Sequence, residues 1–196
     1  MMAPAGEGFL LFLDGPSAVG KTTVFRGLLS QTAVPFGVAK RMTTREKRPH
    51  EHDEDIYDFI SHDEFHRMAR EKEFIEHKCY KFGMCYGLPK KNVIGPLSRG
   101  ENLLAMINLG HILMVRKIVP RTYGVFLTAS LETVRRRLSE RGTHTPGQIE
   151  ERLGNARASV KFQPYYDLVI MNENRSVDSV ITEIAEQFLT FSRTNA

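Results

Sequence analysis

Residues Gly15-Pro16-Ser17-Ala18-Val19-Gly20-Lys21-Thr22 fit the pattern GxxxxGK followed by Ser or Thr. Glycines at both ends let the backbone curl so that successive N–H groups point inward, and a helix that starts at once adds the positive end of its dipole. In such a loop a lysine like Lys21 reaches the β- and γ-phosphates of a nucleoside triphosphate, and a hydroxyl like that of Thr22 ligates Mg2+, with Thr23 next in line. These residues imply binding of ATP or GTP together with Mg2+.

A second set of residues belongs to the same chemistry. Arg135, Arg136, Arg137 and Arg141 fall on and just after a helical stretch, a loop follows over 142–147, and Arg152 lies early in the next helical stretch. Phosphoryl transfer needs cations around the migrating group and water kept away from it, and a closing lid of arginines supplies both. Small P-loop proteins with such a lid are kinases, whereas switch and motor NTPases lack it. Arg137, Arg141 and Arg152 are therefore candidate catalytic cations beside Lys21.

These residues need elements to hold them. Phe9 to Leu13 is short and continuously apolar and reads as a buried strand, and Val24, Phe25, Leu28 and Leu29 form the apolar face of a helix starting at Lys21. Phe36–Ala39 is a weaker strand. Ser61 and Glu64 form a capping box ahead of a helix running to Glu71. Phe74–Tyr80 and Met84–Leu88 read as a hairpin turning at Lys81, Phe82 and Gly83. Leu103–Ile107, Gly124–Thr128 and Leu168–Met171 are further buried strands. Helices are expected over His111–Lys117, Leu131–Glu140, Gln148–Phe162 and Val177–Phe191. Buried strands alternating with helices imply an α/β fold, a P-loop three-layer sandwich with a parallel sheet covered on both faces.

The 196 residues are 41% hydrophobic and 26% charged, which suits one domain burying roughly 70% of its unfolded surface. Apolar runs stay far below the roughly 20 residues of a membrane span, and no secretory signal is evident, so a cytoplasmic protein with no membrane partner is expected. Cys79 and Cys85 are accordingly expected as reduced thiols. The pI of about 9.1 is also a cue for nucleic acid, but the net charge of +4 gathers its basic residues over Lys40–Arg48 and Arg135–Arg141. Two compact clusters suit a small polyanion better than a duplex, so no nucleic-acid partner is expected. His50 and His52 beside Asp53, Glu54 and Asp55 match no standard ligand spacing and read as a solvated loop.

The sequence resembles the guanylate kinase family over nearly its whole length. GPSAVGKTT resembles the family's phosphate loop, and TTREKRPHEHDEDIYDFIS at 43–61 resembles its acceptor-phosphate segment. FIE at 74–76, CYG at 85–87, RLSERGT at 137–143 and Asn172 follow in family order. The resemblance implies ATP as phosphoryl donor and a phosphate-bearing acceptor, by default GMP or dGMP. It places Arg45, Arg48, Tyr57 and Tyr86 around the acceptor's phosphate, with Glu51 steadying the arginines. Two guanidinium forks with two phenols make a sound phosphate cage. By the same resemblance Glu76 accepts from the guanine ring, Arg137, Arg141 and Arg152 are lid and donor-phosphate arginines, and Asn172 lies near the adenine. The whole chain, 1–196, is expected as one such domain, with an acceptor-binding subdomain over about 41–98 and a lid over about 137–153.

The chain also departs from the family pattern. Arg41 stands where the family has a serine, and Leu88 where it has Ser or Thr. The strand that carries two acids in the family supplies none here, in either register: Met106 and Asn108, or Ala105 and Ile107. Unmade hydrogen bonds of about 1–3 kcal/mol each would weaken selection of guanine. Arg41 and YGLP resemble ribose 1,5-bisphosphate kinases, in which Arg41 would serve a second phosphate, whereas Arg48 and Tyr57 follow the guanylate kinase pattern. A third alternative is a non-catalytic phosphopeptide-binding module of the same fold, although such modules usually lose the phosphate loop that this chain keeps. The oligomeric state is left open.

Overall fold

The computed structural model describes residues 8–31, 33–47, 56–80, 83–142 and 145–195. In chain order the elements are β1 (Leu10–Asp14), α1 (Lys21–Ser30), β2 (Gly37–Val38), β3 (Arg41–Thr43), β4 (Tyr57–Phe59), α2 (His62–Arg70), β5 (Phe74–Cys79) and β6 (Cys85–Pro89). There follow α3 (Ile94–Ser98), β7 (Leu103–Met106), α4 (Ile112–Ile118), β8 (Thr122–Thr128), α5 (Leu131–Glu140), α6 (Pro146–Ser159), β9 (Leu168–Met171) and α7 (Val177–Thr194). The larger sheet has the order β2-β7-β1-β8-β9, with β2/β7 and β8/β9 parallel, and it is flanked by helices as the alternating pattern implies. Among the described residues no helix is long and apolar enough to cross a membrane.

The chain divides into two compact units, the first containing residues 8–12 and 36–122 and the second 13–35 and 123–195. In the first unit a smaller sheet has the order β4-β3-β6-β5, with β3/β4 parallel and both β3/β6 and β5/β6 antiparallel. β3 and β4 were not legible as strands. Each spans only three residues, and Arg41 and Asp58 hide any apolar run, so pairing across the sheet creates them. Phe65 and Met68 of α2 pack with Met42, Phe74 and Cys85 into a small core of their own.

The expected capping box of α2 forms only half: Ser61 Oγ accepts from the Glu64 N–H at 3.2 Å, while the Glu64 carboxylate turns to Arg67. The hairpin has the expected place, and its register sets Cys79 directly opposite Cys85 with 4.0 Å between Cα atoms. The two are joined as a disulfide, which corrects the expectation of two separate thiols. Composition cannot reveal this, because the pairing depends on strand register.

In the second unit α1 buries Val24, Phe25 and Leu28, and α7 buries Val180, Ile184, Ala185 and Phe188. Gly27 lets α1 and α7 approach, since a Cβ there would fall 2.1 Å from Ile181 Cδ1. α6 begins earlier than expected. Thr145 caps it in a full capping box with Gln148, and Pro146 occupies the first turn, where a missing N–H costs nothing. It ends at Ser159, and Val160–Tyr165 continues as a 3-10 turn.

Candidate functional site

The donor-side residues belong to the second unit. β1 is buried along its whole length and delivers the chain to Gly15, whose φ of 137° only glycine adopts comfortably. A Cβ on Gly15 would strike the Leu127 carbonyl oxygen at 2.1 Å. The turn closes on Gly20, the N-cap of α1, at φ 94° and with no capping side chain. The leading N–H groups of α1 therefore meet no side-chain cap, the arrangement that receives anions. Lys21 Nζ donates to the Gly15 and Pro16 carbonyls at 2.5 and 2.7 Å, so its ammonium folds back over the loop. Thr22 and Thr23 are exposed in the first turn.

The loop is braced by residues distant in sequence. Asn172, at the end of β9, donates through Nδ2 to the Val19 carbonyl at 2.7 Å. Arg137 donates to the Ala18 carbonyl at 3.3 Å and to the Asn172 carbonyl at 2.9 Å, and Arg152 donates to Ser17 Oγ at 2.7 Å. Arg141 joins Ala18, Gly20, Thr23, Arg137 and Asn172 around a cavity of about 360 Å3. The arginine run is thus divided by its helix: Arg135 and Arg136 are exposed and paired with Glu150 and Glu140. Asp14 escaped sequence reading, and Tyr166 reads there only as a core or turn residue, in agreement with its burial. The buried Asp14 carboxylate accepts from the Gly15 N–H at 2.6 Å and from the Tyr166 hydroxyl, fixing the start of the turn. A lone acid closing an apolar strand was the available signal for Asp14; its bond to Tyr166 had none.

Gly20→Ala tests this bracing. Its Cβ would lie 2.6 Å from Asn172 Nδ2 at a strained φ, so Asn172 must move and release its bond to the loop. A stability loss of roughly 1–3 kcal/mol is expected in denaturant titration, together with weaker ATP binding by calorimetry. Unchanged values in both would show that the Asn172 contact is dispensable.

The acceptor-side residues belong to the first unit. β3, β5 and β6 bring Arg41, Glu76 and Tyr86 together, and Asn108 and His111 join them from beyond β7. Glu76 is wholly buried. Its Oε1 accepts from Arg41 at 2.8 Å, and its Oε2 accepts from Asn108 Nδ2 at 2.7 Å and from His111 Nδ1 at 2.9 Å. Burial alone pushes the Glu76 carboxyl up, but Arg41, His111 and Asn108 outweigh it and hold it below the usual carboxylate range. Burial likewise works against the Arg41 charge, yet Glu76, Tyr57 and Tyr80 raise its pKa further. Arg41 also lies 5.7 Å from the centre of the Tyr86 ring.

Arg45 stacks on Tyr57 and Phe59 at 5.8 and 5.3 Å, and the Tyr57 and Tyr86 rings meet edge to face at 6.0 Å. Arg48, Glu51 and the histidines at 50 and 52 lie outside the described residues. Asn108 Nδ2 donates to Glu76 Oε2 and to the Tyr86 carbonyl, at 2.7 and 3.3 Å, which ties the chain just beyond β7 to the hairpin. Leu88, opposite Glu76 in the hairpin, is fully buried. His111 was read only as the start of a helix. Its partner is 35 residues away, beyond the reach of any local pattern.

Comparison with known proteins agrees with this architecture. The family model described as guanylate kinase matches residues 8–190. A guanylate kinase of Rhodopirellula baltica is 34% identical over 193 residues, covering 97% of this chain and 91% of its own. One from Thermus thermophilus is 35% identical over 184 residues, covering 93% of this chain and 80% of its own. The crystal structure of guanylate kinase from Anaplasma phagocytophilum superposes with a TM-score of 0.69 at 26% identity, covering 97% of this chain and 87% of that one. With its phosphate loop, its nucleotide-binding fold and these relatives, the chain is a P-loop kinase and belongs to the guanylate kinase family.

Proposed function

We propose that this kinase transfers the γ-phosphoryl group of ATP to the phosphate of GMP or dGMP, releasing ADP and GDP or dGDP. The observation that carries this is that Arg137 and Arg152 bond directly to the phosphate loop, in a chain whose relatives are guanylate kinases. A phosphopeptide-binding module has no use for a complete loop with its arginines in place.

The nucleophile is already a phosphate oxygen, so no side-chain base is required. Lys21, Arg137, Arg141 and Arg152 share the charge that spreads over the migrating group. Residues Gly15 to Thr23 cradle the triphosphate, and Asn172 and the cavity beside it receive the donor's base. The oxygen donor set at the head of α1, an exposed Thr22 hydroxyl joined by phosphate oxygens and water, fits Mg2+. When bound, that ion supplies further charge neutralisation on the β- and γ-phosphates. Arg45, Tyr57 and Tyr86, with Arg48 and Glu51, hold the acceptor's phosphate, and Arg41, Glu76 and Asn108 face its other end. A cytoplasmic location goes with these substrates.

A coupled ADP-release assay across GMP, dGMP, the other nucleoside monophosphates and ribose 1,5-bisphosphate tests this. GMP or dGMP is expected to give the highest kcat/KM, and a preference for the sugar bisphosphate would overturn it. Arg41 already occupies Glu76 Oε1, so selection of guanine is expected to be weak. Arg41→Ser frees that oxygen for the ring, and the regained hydrogen bond is expected to raise kcat/KM for GMP by about tenfold. Urea unfolding of the variant, run alongside, is expected to show the loss of the buried pair, and a fall in kcat/KM of the folded variant would mean that Arg41 attracts the acceptor rather than obstructing Glu76.

A further inference from the structure

We propose that His62, His66, Cys79 and Cys85 form a Zn2+ site, filled when the two cysteines are reduced. His62 and His66 are one turn apart on α2 and their rings stack at 6.3 Å. One nitrogen from each and the Cys85 sulfur lie within 4.8 Å of one another. Cys79 stands outside that cluster, but its sulfur is bonded to that of Cys85, so after reduction a turn of its exposed side chain would bring a fourth donor. The spacing is H-x3-H, then residues 67–78, then C-x5-C. Two thiolates and two imidazoles on a helix and a hairpin are the donor set and arrangement that select tetrahedral Zn2+.

The surroundings suit a structural ion. Cys85 is buried beside Phe65, Met68 and Phe74, which fixes one ligand against the small core, and Phe65 stacks on Phe74 at 4.7 Å. His62, His66 and Cys79 are exposed, so an ion can reach them, and Cys79 at the end of β5 has room to turn its side chain. An ion held here would pin α2 to the hairpin that carries Glu76 and Tyr86. Phe65, Met68 and Ala69 tie that face of α2 down by apolar contact.

The disulfide and the metal compete for the same two sulfurs. A dithiol reductant gives two electrons and two protons to the Cys79–Cys85 bond, leaving two thiols and its own disulfide. The thiols then release two protons as their sulfurs bind Zn2+. The same four side chains thus serve two redox states, a covalent staple when oxidised and a metal staple when reduced.

The test uses the full-length protein, reduced with a phosphine and titrated anaerobically with Co2+, then with Zn2+. One Co2+ per chain is expected, with the intense d–d absorption of tetrahedral cobalt and a thiolate-to-cobalt charge-transfer band, both bleached by Zn2+. The oxidised protein should take up none. His62→Ala and His66→Ala alter exposed positions on α2, and each should weaken Zn2+ binding by more than the roughly 10–100-fold that loss of an outer partner costs. No uptake by the reduced wild type, a weak octahedral spectrum without the thiolate band, or full affinity in the histidine variants would each overturn the site. None of these readouts depends on which acceptor the kinase uses.

Discussion

Lys21→Ala is expected to lower kcat by at least about 10²–10³-fold while leaving the fold in place, because the lost ammonium is a preorganised donor aimed at charge that grows in the transition state. In the structure Lys21 Nζ donates to the Gly15 and Pro16 carbonyls, at the edge of the loop. Removing those two bonds costs about 1 kcal/mol each, and the glycine turn, Asn172 and Arg137 still brace the loop. The melting temperature of the variant should therefore fall by no more than about 8 °C, with a single cooperative transition kept, and ADP release in the coupled assay should fall towards background. A variant that keeps full turnover would mean that Lys21 does not act on the transferred phosphoryl group.

Glu76→Gln is expected to destabilise the protein by about 3–5 kcal/mol, through the network rather than through catalysis. Arg41 and Glu76 are both buried, and removing one member leaves the other charge in the interior without its counterion. A glutamine amide also sets N–H groups against Arg41, Asn108 or His111, which are themselves donors. Urea unfolding at neutral pH measures the loss, and a change below about 1 kcal/mol would show that water or rearrangement replaces the pair.

Acid gives the same test in the wild type. Because Glu76 titrates below its ordinary value in the folded state, the unfolded chain takes up a proton first as pH falls past about 4.3. The contribution of the pair is complete above that pH and disappears as pH drops through the lower folded value. Glu76→Gln should lack this component of acid sensitivity.

Some of the chemistry was legible in single segments. The GxxxxGKT pattern needs only a strand, a turn and a helix in succession, so its residues and their order carry the whole motif, and the apolar runs of β1, β8 and β9 mark themselves. Helix caps are equally local: Ser61 acts within the next turn as expected, whereas the Thr145 cap was overlooked and α6 begins before Gln148. β3 and β4 were not legible, because three-residue strands exist only by pairing with neighbours.

The acceptor side shows the same division. Glu76 and Tyr86 were visible as matches to the guanylate kinase pattern, and positions 41, 88 and 108 as departures from it, but their joint meaning was not. Only the tertiary structure brings Arg41 onto Glu76 across 35 residues and sets Asn108 and His111 on its other oxygen, closing a buried network. It likewise sorts the arginine run, turning Arg137 to the loop and leaving Arg135 and Arg136 to surface partners. Sequence by itself determined that this chain handles phosphates and has the loop to do so, since that chemistry rests on contiguous backbone. The fold decided which charges are spent on one another and which remain for a ligand, because desolvation and pairing depend on neighbours that are distant along the chain.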